Sequence, residues 1–244
     1  MSCPKISKEE YKDFSQRIHS PKERKPLCGE WEITLKCNHN CIHCYYSEHK
    51  AKNELEFKEV KHIIDQLYEE GCLWLSFTGG EPFAREDFLK IYTYAKEKGF
   101  IITIFTNGTL LTEKIVSYLA QYPPFSMEIT LNGITSQTYE SISGVAGSFS
   151  RVKEAISLLL KYRLPLTLKS NFMRPNISEF DRIKKFAEGL KINYRFDYFI
   201  DARINGNRSP CSLRLAPKKI MKLEYDPTRE IGADNYQPAH AQSV

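Results

Sequence analysis

Three thiols stand at positions i, i+4 and i+7 in Cys37-Asn38-His39-Asn40-Cys41-Ile42-His43-Cys44-Tyr45. As thiolates they can all point at one centre, offering three soft ligands where a closed structural metal site takes four. A centre held by three protein ligands keeps one corner for a substrate or cofactor. The same spacing suits a zinc knuckle, with His39 or His43 as the fourth ligand. Either imidazole can also be an ordinary loop residue, and Ile42 reads as a packing residue. A second segment, Thr78-Gly79-Gly80-Glu81-Pro82, follows an apolar run. Its glycines remove side chains where backbone must come close to a ligand, and Pro82 sets the turn. Thr106-Asn107-Gly108 and Leu131-Asn132-Gly133 close two further apolar runs as polar turns, with Asn107 a good turn residue before Gly108.

The order C-x3-C-x2-C then G-G-E-P, each after a strand-like run, resembles the radical S-adenosylmethionine (SAM) superfamily. The resemblance implies a [4Fe–4S] cluster on Cys37, Cys41 and Cys44, with the fourth iron left for the amino and carboxyl groups of SAM. It implies that Gly79, Gly80 and Glu81 recognise the SAM ammonium and that His43 stands near the adenine; Glu81 reads equally as an ordinary exposed carboxylate, and Asn107 on the same rim is open to a polar contact with SAM. Residues 127–133, Met-Glu-Ile-Thr-Leu-Asn-Gly, look like the Ser-Leu-Asp-Gly of the peptide-modifying SPASM/twitch branch. There Thr130 matches a serine that touches the ribose or methionine portion of SAM. Two positions depart from that branch. Asn132 replaces an aspartate, and Ser143 stands where the branch has an arginine on the SAM carboxylate. Arg151 and Lys169 are candidates to replace that arginine, though both read more often as plain surface charges.

The implied activity is reductive cleavage of SAM to methionine and a 5′-deoxyadenosyl radical, which takes hydrogen from a substrate. Its electron comes from an external donor of flavodoxin or ferredoxin type. The branch points to a peptide or protein side chain as substrate. The alternatives are a small-molecule cofactor precursor or a non-catalytic zinc or iron–sulfur module. Residues 201–215 resemble the lead-in to the branch's cysteine-rich C-terminal module, which has no counterpart here. Cys3, Cys28, Cys72 and Cys211 share no C-x2-C spacing and read as buried or free thiols. The chain thus reads as truncated after its barrel, or as minimal.

Composition is that of an ordinary soluble globular protein. The 244 residues, 41% hydrophobic and 27% charged, are enough for one sizeable core. No apolar run reaches the roughly 18 residues of a membrane span, and the polar N-terminus is no signal peptide. Seven cysteines with three clustered suit a reducing cytoplasm better than a disulfide framework. The net charge of +5 is spread along the chain, and Glu23 interrupts Lys22-Glu23-Arg24-Lys25, so nucleic-acid binding is not expected.

The elements that must position these residues alternate in type. Residues 1–27 form an N-terminal arm with a helix over 9–18. Strands are expected over 32–35, 73–77, 101–106, 127–131, 166–172 and 194–200. Between them, residues 57–70 place Val60, Ile63, Ile64 and Leu67 on one helical face, stopped by Gly71. Glu86 and Asp87 open a helix through Lys98. Thr112 caps one carrying Ile115, Val116 and Leu119, and 148–162 carries Val152, Ile156, Leu159 and Leu160. Ser178-x-x-Asp181 reads as a capping box. Six alternations predict an α/β fold with parallel strands, and no Gly-x-Gly-x-x-Gly opens the first helix. A partial (β/α)6 TIM-like barrel over residues 28–200 fits, and the resemblance implies the same fold. The cysteine loop and the three glycine turns then all fall at C-terminal strand ends, where α/β barrels build their sites. Residues 201–244 read as a loop and a polar, partly disordered tail.

Overall fold

The computed structural model describes residues 26–46 and 53–224. The helix expected over 9–18 and the tail from 233 lie outside the described residues. Six strands form one sheet in chain order, each pair parallel: β1 (Cys28–Thr34), β2 (Trp74–Gly79), β3 (Ile101–Thr106), β4 (Ser126–Thr130), β5 (Leu166–Asn171) and β6 (Asn193–Asp197). The helices are α1 (Phe57–Glu69), α2 (Phe88–Glu97), α3 (Glu113–Gln121), α4 (Ser136–Ser143), α5 (Ser148–Lys161), α6 (Phe180–Leu190) and α7 (Pro217–Glu224). Under the general rule of right-handed crossovers, parallel strands in strict chain order set their connecting helices on one face. A doubly wound sheet would reverse its strand order at a switch point; this sheet does not. The result is the expected partial barrel, with β1 and β6 as its edges among the described residues.

The two faces follow the strand period of two. Leu75, Phe77, Ile102, Ile104, Met127, Ile129 and Leu168 are fully or almost fully buried, in one core with Val60, Ile64, Ile91, Val116, Leu119, Val152 and Ile183 of the helices. Burying each such side chain contributes about 1.5–3 kcal/mol. The alternate residues Thr78, Phe105, Thr130, Lys169 and Asn171 are half-buried on the opposite face. Thr78, Thr130, Lys169 and Asn171 make that second face the more polar of the two.

Four readings differ most from the structure, and two of them, at β1 and at Glu179, turn on partners distant in sequence. β1 begins at Cys28 rather than residue 32, because Cys28–Glu32 pair in register with Trp74–Thr78 while only Ile33 and Thr34 of the strand are buried. An edge strand gives a weak periodic signal. β6 ends at Asp197 rather than 200, where the Asp197 carboxylate accepts Phe199 N–H. Ser178 does not cap α6. Residues Ile177–Glu179 form a 3₁₀ turn, and the Glu179 carboxylate accepts Ile134 N–H (2.6 Å) and the Thr135 and Thr138 hydroxyls (2.8 and 3.0 Å). Finally, α4 was not expected at all. It is short and polar, held by the Thr135 hydroxyl at its N-terminus and by Gly144 at φ +70° at its C-terminus. Thr112 does cap α3, accepting Ile115 N–H at 3.4 Å.

Candidate active site

A bulge between Glu32 and Thr34 ends β1 and turns the chain into the cysteine loop. Three neighbours hold that loop. The end of β2 pairs with it through Gly80 N–H to Thr34 O and Glu81 N–H to Lys36 O, both 2.8 Å. The last turn of α4 accepts Asn40 N–H on Ser143 O (2.9 Å) and Ile42 N–H on Ile142 O (3.0 Å). The Tyr45 and Tyr46 hydroxyls donate to the two oxygens of Glu32.

So held, Cys37, Cys41 and Cys44 open onto one cavity of about 560 Å³ at the C-terminal ends of the strands. Eight of the nine residues singled out in the sequence line it: the three cysteines, His43, Gly79, Gly80, Asn107 and Thr130. Glu81 does not. It is fully buried, its carboxylate accepting the Thr106 hydroxyl (2.7 Å), Asn107 N–H (2.7 Å) and Phe83 N–H (3.2 Å). Burial pushes the Glu81 carboxyl up to about 7 against those hydrogen bonds. Its carboxylate therefore ties β2 to β3, and the backbone of Gly79 and Gly80 is what faces the cavity.

The glycines are needed for a reason other than ligand clearance. A Cβ on Gly79, at φ +131°, would stand 2.2 Å from Thr34 O, and one on Gly80 would stand 2.2 Å from Lys36 O. It is the cysteine loop that presses on them. Asn107 lines the cavity, but its side-chain oxygen accepts Thr109 N–H and its amide donates to Asn38.

The departures at positions 132 and 143 have local explanations. Asn132 Oδ1 accepts Asn171 N–H at 2.8 Å, a bond that aspartate would make equally well. Ser143 is buried against Ser148 at 2.9 Å, in the turn that holds the cysteine loop. Of the two candidate cations, Lys169 lines the cavity and Arg151 does not. Lys169 Nζ lies 3.9 Å from Asp197 Oδ2 and 5.5 Å from the centre of the Phe105 ring. Sequence reasoning missed Asn38, Thr109 and Tyr139. Tyr139 reaches the cavity from the unexpected α4 and meets the His39 ring edge-on at 6.4 Å. The paired caps Thr135 and Gly144 were the signal for that helix.

Burial shapes the ionisation of the site. It pushes Cys37 up to about 11, Cys41 up to about 12 and Cys44 upward. These thiols become thiolates only against strong positive charge, which metal binding supplies. Burial also pushes His39 and His43 down to about 4, so both are neutral at pH 7. His39 Nε2 lies 3.2 Å from the Thr109 hydroxyl, and His43 Nδ1 is buried without a partner. Among the described residues no three His, Cys, Asp or Glu gather as a single ion requires. The two histidines do not complete a knuckle. A multinuclear cluster, with each thiolate on its own iron, does not need its three ligands gathered on a single ion. The three thiols on one cavity fit such a group.

A family model for the radical SAM superfamily matches residues 31–187. An AdoMet-dependent heme synthase of Methanosarcina barkeri is 32% identical over 167 residues, 68% of this chain and 48% of that protein. The mycofactocin maturase MftC of Mycobacterium tuberculosis is 33% identical over 135 residues, 55% of this chain and 34% of that protein. The chain thus spans less than half the length of these relatives. In structure it resembles Streptococcus suis SuiB bound to its precursor peptide SuiA, with a TM-score of 0.66 at 19% identity, over 78% of this chain and 44% of that one. The family match covers the cysteine loop, the glycine rim and five of the six strands, and the chain belongs to the radical SAM superfamily.

Proposed function

We propose that this chain is the SAM-cleaving core of a radical enzyme acting on a peptide or protein side chain. The observation that carries the proposal is the convergence of Cys37, Cys41 and Cys44 with the Gly79–Gly80 backbone on one cavity at the strand ends. The chemistry a bound [4Fe–4S] cluster and SAM would supply is one-electron cleavage to methionine and a 5′-deoxyadenosyl radical. The chain's own part is orientation. The loop fixes the thiols, the Gly79–Gly80 backbone offers polar groups to an ammonium, and Thr130 offers a hydroxyl to the ribose or methionine portion. Lys169 is the cation in the wall for a carboxylate. His43 carries a buried ring nitrogen still to be partnered.

A peptide substrate is supported by an open cavity, since Phe199 in its lining is 82% exposed. The names of MftC, a maturase, and of SuiB with its precursor peptide point the same way. The heme synthase similarity favours a second reading, a small-molecule cofactor precursor. An external one-electron donor completes the proposal.

Anaerobically reconstituted chain should hold four irons and form 5′-deoxyadenosine from SAM with dithionite. Stoichiometric zinc without iron would overturn the proposal. Deuterium passing into 5′-deoxyadenosine from a labelled peptide supports the first substrate class, and from a labelled tetrapyrrole the second.

A further inference from the structure

We infer that Asn107 is locked in the amide orientation that donates to the Cys37 sulfur, and that Thr109 is the positioning residue setting that orientation. The inference rests on the cluster reading of the three cysteines.

Thr109 donates twice to Asn107 Oδ1, from its backbone N–H at 2.9 Å and from its hydroxyl at 2.7 Å. An amide oxygen pinned by two donors turns its NH₂ the opposite way. There Nδ2 lies 2.9 Å from Asn38 Oδ1 and 4.0 Å from Cys37 Sγ. Asn38 is fixed by the same hydroxyl, donating its Nδ2 to Thr109 Oγ1 at 2.8 Å. Flipping either amide would set donor against donor. One hydroxyl has one proton and two lone pairs. Here the proton goes to Asn107, and the lone pairs take Asn38 and His39 Nε2 at 3.2 Å. Thr109 is saturated, and the ring from Asn38 through Thr109 to Asn107 is closed.

Cys37 Sγ also accepts His39 N–H at 3.4 Å, so donors reach it from its own loop and from the end of β3. Among the described residues, Cys37 is the one cysteine of the three with a side-chain donor at its sulfur. Charge on a thiolate draws such donors closer. Hydrogen bonds to ligand sulfur raise a cluster's potential. The Thr109 hydroxyl therefore makes reduction easier from a distance, through Asn107.

The test compares the full chain, reconstituted anaerobically, with Thr109→Val and Thr109→Ser. Iron and sulfide are measured first. Wild-type chain without a cluster would overturn the cluster reading, and this inference with it. With cluster present, the midpoint is followed by electron paramagnetic resonance. At the wild-type midpoint, Thr109→Val should lower the reduced-to-oxidised ratio roughly tenfold, about 59 mV for one electron. Thr109→Ser should restore it. An unshifted potential in Thr109→Val, or an equal shift in Thr109→Ser, would overturn the inference while leaving the cluster reading standing. Should Thr109→Val fail to hold the cluster, wild-type chain labelled with ¹⁵N-asparagine decides. Electron–nuclear double resonance on its reduced cluster should show a coupled amide nitrogen with exchangeable protons, and their absence overturns the inference.

Discussion

Glu81 shows how one buried carboxyl can serve a site it does not touch. Its carboxyl lies at about 7 rather than the ordinary 4.5 because burial outweighs three hydrogen bonds. The folded state therefore holds the proton more tightly than the unfolded chain. The resulting stability is full below about 4.5 and is lost as pH rises through about 7. Glu81→Gln removes this titration. In denaturant unfolding of cluster-free protein, wild type should lose on the order of 3 kcal/mol relative to Glu81→Gln between pH 5 and pH 8. A constant difference would show that the carboxyl does not titrate there. Gly80 makes a steric demand instead. Gly80→Ala places a Cβ 2.2 Å from Lys36 O, a backbone atom that cannot swing aside. The loop must then part from β2, with a loss of about 3 kcal/mol or more and a fall in iron bound after reconstitution.

At the scale of elements, α4 matters more than its length suggests. It carries Tyr139 to the cavity, and its C-terminal carbonyls hold Asn40 and Ile42 of the cysteine loop. Gly144 permits both the left-handed turn and the close approach, since a Cβ there would stand 2.7 Å from Asn40 O. Gly144→Ala should cost about 1–3 kcal/mol and lower the iron retained. Gly189 is the contrast. It lies within α6, is exposed and has nothing within 4 Å of a built Cβ. Gly189→Ala should stabilise by about 0.4–1 kcal/mol and leave iron content unchanged. If both variants behaved alike in denaturant unfolding, the docking role of α4 would be lost.

Across the whole molecule, a parallel sheet in strict chain order carries the cavity-lining side chains on one face, and every strand points its C-terminal end at the same rim. The core lies on the other face, between sheet and helices. Site and core are therefore separable. Replacing Cys37, Cys41 and Cys44 by alanine should abolish iron binding and the cluster absorption near 400 nm expected of such a centre. The helical circular dichroism should stay, because the core cluster contains none of the three. A triple variant that still bound four irons would place the cluster elsewhere.

The sequence by itself determined what local periodicity and local chemistry encode. Alternating and 3.6-residue patterns gave the six strands and most helices, because each records which side of an element meets the core. Cysteine spacing and the Gly-Gly-Glu-Pro turn marked the rim, because ligands close in sequence must be close in space. The tertiary structure decided the partners. Glu81 meets Thr106 and Asn107 (25 and 26 residues away), and Asn107 meets Asn38 (69 residues away). Polar side chains pair with whatever donors the fold brings to them, and no spacing rule anticipates those. Likewise only the folded chain set Lys169 in the cavity wall, left Arg151 outside the lining, and showed that Gly79 and Gly80 make room for the protein's own backbone. Burial changes a side chain's preferred partner and charge, and burial is decided by elements that are distant in sequence.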